Sequence, residues 1–103
     1  MERIDKLKQM LTATPEDCFL LHASGLEYMK LQNVEKAIEY FEKVITTDQY
    51  YVGTYYHLAK AYEKMNDEAR AIVTYEKGIA IAKAVKDNHA KNELQMALDD
   101  LTI

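Results

Sequence analysis

The side chains best suited to chemistry are one thiol, three imidazoles and a scatter of carboxylates. Cys18 and His22 stand four residues apart, the spacing that puts two side chains on one face of a helix. A thiol beside an imidazole becomes a nucleophile once the ring takes its proton. That chemistry also needs an orienting partner and donors for a developing oxyanion, commonly from a glycine-built loop. The sequence offers neither around Cys18. Cys18, His22, His57 and His89 could together supply zinc ligands, but no C-x2-C or H-x3-H pair is present and the rest are far apart in sequence. No phosphate-cradling glycine loop occurs. Asp99 and Asp100 lie near the end of the last helical pattern, as solvated tail residues. We therefore expect no enzyme activity, no metal and no cofactor.

The bulk composition narrows the partners. The chain has 103 residues, one small domain, and a formal net charge of −4. It lacks the basic stripe of a nucleic-acid binder, so no nucleic acid is expected. No apolar run approaches the ~20 residues that cross a bilayer, so no membrane is expected. The opening Met-Glu-Arg-Ile-Asp-Lys alternates charge and leads into no signal-peptide core. With one cysteine no internal disulfide can form, which fits a reducing compartment, and the cytoplasm is the default location. Pro15 is the only proline and glycine is scarce, so helices joined by short turns are favoured.

A 34-residue pattern occurs twice along the chain. Tyr28 recurs as Tyr62, Ala37 as Ala71, Ile38 as Ile72, Phe41 as Tyr75 and Ile45 as Ile79. Gly25 is matched by Ala59, and the pair Glu42-Lys43 by Glu76-Lys77. A fixed period of this length marks a stacked array of helical units.

The apolar spacing then places the helices. Ile4, Leu7 and Leu11 predict a short helix over 2–12. Thr14 before Pro15 reads as an N-cap opening a second helix that runs to Leu31. Val34 to Thr47 is the third helix, and Tyr51 to Met65 the fourth. Asp67 is the expected N-cap of a fifth helix ending near Lys86. The sixth covers about His89 to Leu101. No stretch keeps a period of two, so the fold class is all-α, without a sheet.

These residues identify a resemblance to the tetratricopeptide repeat, a helix–turn–helix module. The first unit carries Leu21-x2-Ser24-Gly25-x2-Tyr28 and Ala37-x3-Phe41-x2-Val44. The second carries Tyr55-x2-Leu58-Ala59-x2-Tyr62 and Ala71-x3-Tyr75-x2-Gly78. The resemblance implies an α-solenoid of antiparallel helix pairs: repeat 1 over 18–51, repeat 2 over 52–85, an N-terminal half-repeat helix over 2–12, and a capping helix over 88–101. The expected proline is replaced by Gln49 and Lys83, and Ser24 stands where the family prefers leucine.

The resemblance also implies a groove lined by the first helix of each repeat, which holds a peptide or partner helix. By register its residues are Phe19, His22, Leu26, Met29 and Lys30, then Gly53, Tyr56, His57, Lys60, Glu63 and Lys64. Phe19, Leu26 and Met29 are apolar where a solvated helix face should be polar. Their alternative destination is the N-terminal helix. Lys30, Lys60 and Lys64 would favour an acidic ligand unless they are neutralised by Glu27 and Glu63. Some members grip a terminal carboxylate with a Lys/Asn/Arg set. His22, Leu26 and His57 stand at the corresponding positions, so that clamp is not expected. The expected partner is a protein or peptide, with a homodimer through an end face or the groove as the competing role.

Overall fold

The computed structural model describes residues 2–103, and they form six helices: α1 (Arg3–Ala13), α2 (Cys18–Lys30), α3 (Val34–Thr47), α4 (Gly53–Lys64), α5 (Glu68–Ala84) and α6 (Asn88–Thr102). Each helix packs on the next. Among the described residues, α2 also touches α4 and α4 touches α6, whereas α1, α3 and α5 do not touch one another. The helices therefore form two layers, close-set in one and splayed in the other. A stack built so must curve, with α2, α4 and α6 on its hollow side. The slab measures 42 × 29 × 19 Å. None of its helices is long and apolar enough to cross a membrane.

The repeated small residues explain the close packing. A Cβ on Gly25 would lie 2.3 Å from the Phe41 ring, and one on Gly78 would lie 2.7 Å from Cβ of Tyr55. Phe41, Tyr55 and Tyr75 are fully buried at these crossings, with Leu58 and Leu94 beside them. Their polar ends are satisfied. The Tyr55 hydroxyl donates to the Gln49 carbonyl at 2.7 Å, Tyr62 donates to Glu42 at 2.7 Å, and Tyr75 donates to Glu63. Burial and the neighbouring carboxylate push the Tyr62 phenol up to about 12. Buried Ser24 donates to the Leu20 carbonyl at 2.8 Å.

One turn geometry occurs three times. Gln32, Asn66 and Lys86 have φ of 60°, 59° and 61°, the left-handed region. Each closes a helix in the Schellman manner. The following residue donates its N–H back to the carbonyl five residues earlier: Asn33 to Tyr28, Asp67 to Tyr62 and Asp87 to Ala82, all at 2.9 Å. The same residue then caps the next helix. The Asn33, Asp67 and Asp87 side chains accept from the N–H three residues on, at 3.2, 3.1 and 3.0 Å. A single residue thus ends one helix and starts another.

Several boundaries differ from the sequence expectation. The second helix begins at Cys18 rather than Pro15, and its N-cap is Asp17, not Thr14. Asp17 donates its N–H to the Thr14 carbonyl in a turn, and its carboxylate accepts from Leu20 at 3.1 Å. A carboxylate already placed to cap outcompetes the proline start. Tyr51 and Val52 sit in the turn before α4, and α5 stops at Ala84 because Lys86 takes the left-handed conformation.

Candidate functional site

Three helices build the hollow face. On α2, Phe19, His22, Ala23, Leu26 and Lys30 surround a recess of 280 Å³, with Arg3 of α1 at its rim. Between α4 and α6, Tyr56, Lys60, Glu93, Met96 and Asp100 surround a second recess of 160 Å³. The two meet at a cluster of rings. His22 and His57 have centroids 5.4 Å apart in an edge-on arrangement, and Tyr56 stands edge-on to His57 at 5.5 Å. Phe41 and Tyr51 flank His22 at 5.7 and 5.8 Å.

This packing sets the electrostatics. His22 Nδ1 and Thr54 Oγ1 share a 2.7 Å hydrogen bond that ties α2 to α4. Burial, and secondarily His57, lowers the His22 pKa to about 4. Burial lowers His57 also, partly offset by Glu93. Both rings are therefore neutral near pH 7. Cys18 donates toward the Val44 carbonyl at 3.9 Å, and burial pushes its thiol up. A raised thiol pKa is the opposite of nucleophile activation. No three His, Cys, Asp or Glu side chains converge among the described residues as a metal site would require.

The expected groove residues divide into two sets. Phe19, His22, Leu26, Lys30, Tyr56 and Lys60 line the two recesses. Leu26 and Met29 are half-buried against the core, and Phe19 stays 67% exposed. Gly53 and Lys64 are exposed at opposite ends of α4, and Lys64 has no ion pair among the described residues. Glu63 accepts from the Tyr75 hydroxyl and pairs with Lys60 at 3.6 Å. Lys30 pairs with Glu27 at 3.8 Å, and Lys60 lies over the Tyr56 ring at 5.6 Å. Of the three lysines expected on the face, Lys30 and Lys60 are thus paired with carboxylates and Lys64 is not.

The residues absent from the expectation are Arg3 and those of α6: Glu93, Met96 and Asp100. Their signal was a displaced register. Leu94 and Ala97 are buried 35 residues after Ala59 and Tyr62, one residue beyond the repeat period. Helix α6 therefore takes the place of a third first-type helix beside α4, as well as closing the stack.

Known proteins share this arrangement. The family model for the tetratricopeptide repeat matches residues 20–51 and 52–85. A TPR repeat-containing protein of Pseudomonas aeruginosa is 28% identical over 98 residues, 95% of this chain and 93% of its own length. The solution structure of a tetratricopeptide repeat domain protein from Salinibacter ruber is 40% identical, with a TM-score of 0.80 over 84% of this chain and 88% of that one. The TPR2B domain of yeast Sti1, solved as a complex with pHsp70, shares the fold with a TM-score of 0.90 at 20% identity, over 96% of this chain and 79% of that one. Paired helices in a curved two-layer stack, the duplicated small-residue pattern and these matches agree: the chain belongs to the tetratricopeptide repeat family.

Proposed function

We propose that the hollow face of α2, α4 and α6 captures a peptide or helix of a partner protein through apolar anchors, with the surrounding charges setting its orientation. One observation carries this reading. Phe19 on α2 is 67% exposed and Met96 on α6 is 68% exposed, with half-buried Tyr56 between them. Folding leaves these side chains uncovered on one face, which is the composition of a docking surface. The yeast Sti1 domain, of the same fold, was solved with a bound partner. The cytoplasm is the compartment we propose, because the single thiol Cys18 is free.

Affinity capture from native lysate tests the proposal. Wild type should retain a specific partner that Phe19→Ala/Tyr56→Ala loses, with both proteins equally helical. Truncating two such anchors should cost about 2–4 kcal/mol of binding. Equal capture by both proteins would remove the hollow face as the site.

A further inference from the structure

A cleft of 350 Å³, larger than either recess of the hollow face, lies on the opposite side of the molecule. It runs between α3 and α5, which do not touch, and Tyr55, Leu58 and Tyr62 of α4 form its floor. A shallower recess of 180 Å³ shares Tyr62 and Arg70 with it and carries it on to Glu35 and Ile38. The floor is mostly apolar, and the two walls have opposite charge. Glu35 and Glu42 stand on the α3 wall, Arg70 and Lys77 on the α5 wall. Glu42 gives one oxygen to the Tyr62 hydroxyl, which leaves the other free. Arg70 is held by Asp67 at 3.5 Å, and Lys77 has no ion pair among the described residues. On the α5 lip Val73 is 62% exposed, with Ala69 and Ala80 exposed one and two turns away.

The same face thus holds an apolar projection, an apolar hollow and two charged walls of opposite sign. An isologous dimer needs such self-complementarity, since each surface patch must fit its own copy. A two-fold axis parallel to the cleft sets the α5 wall of one copy against the α3 wall of the other. Such an axis keeps each group at its level along the helices. The 34-residue register matches Glu42 with Glu76, next to Lys77, and Glu35 with Ala69, next to Arg70, so Lys77 would meet Glu42 of the second copy and Arg70 its Glu35. An axis across the cleft would oppose like walls and is disfavoured. We propose that this outer face is a self-association surface, occupied by a second copy of the chain with Val73 of each seated toward the cleft of the other. A standard interface covers about 800 Å² per partner. The chain exposes 6309 Å², and its broad faces span 42 × 29 Å, so the outer face has room for it. The hollow face stays open for its own ligand.

Sedimentation equilibrium of the whole chain, from about 1 µM to 1 mM, reads the association directly. Wild type should form a dimer in this range. Val73→Glu should weaken it by at least tenfold while leaving the helical signal unchanged. The charge pairing has a separate readout. Lys77→Glu alone sets acid against acid, and Glu42→Lys alone sets base against base, so each should be monomeric where wild type is dimeric. An equimolar mixture of those two variants should regain the dimer, because both cross-pairs become attractive. A wild type that stays monomeric to about 1 mM overturns the proposal. A dimer indifferent to Val73→Glu, or a mixture no tighter than its components, overturns it as well.

Discussion

Two imidazoles in contact resist charge, and the His22–His57 pair joins the two helices at the centre of the hollow face. The folded His22 pKa of about 4 lies below its ordinary 6.5. Between those values the unfolded chain binds the proton that the folded chain rejects. Stability from this ring is therefore complete above pH 6.5 and is lost as pH falls toward 4. The ring is only partly buried, so solvent screening limits the loss to about 1–2 kcal/mol. Denaturant titrations between pH 7 and pH 4 should show that fall, and His22→Gln should flatten it. The glycines give a second residue-scale contrast. Gly25→Ala forces a methyl into the Phe41 ring and Gly78→Ala forces one onto Tyr55, so each should cost about 1–3 kcal/mol. A Cβ on Gly53 meets nothing within 4 Å, so Gly53→Ala should be neutral or gain up to about 1 kcal/mol. Thermal melts of the three variants check the order.

Among the elements, the shared turn is the recurrent device. Gln32, Asn66 and Lys86 hold left-handed backbone without being glycine. Only asparagine tolerates that region readily, so Gln32→Gly and Lys86→Gly should each raise stability, by roughly 0.5–1 kcal/mol, and Asn66→Gly by less. The capping residues run the other way: Asn33→Ala, Asp67→Ala and Asp87→Ala should each cost about 1 kcal/mol. Midpoints of denaturant unfolding separate these gains from losses. The helices themselves were legible in the sequence, because Leu21, Gly25, Tyr28 and their counterparts recur at fixed spacing and become the buried faces. The start of α2 was not. Thr14-Pro15 is a good local opening, but the Asp17 carboxylate caps better and only three-dimensional geometry decides between them. The place of α6 beside α4 was hidden by one added residue in the period. The hydrogen bond of Glu63 with Tyr75 was hidden because the two lie on different helices.

At the scale of the molecule, stability should fall from the middle of the stack toward its ends. Helix α1 packs on α2 alone, while α4 is in contact with α2, α3, α5 and α6. In a quasi-one-dimensional stack the end elements open first. Amide exchange should therefore be fastest in α1 and slowest in α4. Leu94→Ala, at a site 1% exposed, should cost about 2–5 kcal/mol and speed exchange in α6 before it does so in α3. The outermost helices differ in kind. Helix α1 belongs to the splayed layer and α6 to the close-set layer. Were two copies spliced in tandem through a linker of suitable length, α6 of the first and α1 of the second would supply the two halves of one missing unit. The molecule is in that sense a cassette whose trailing and leading edges mate, and a concatenated gene should yield one longer, uninterrupted superhelix.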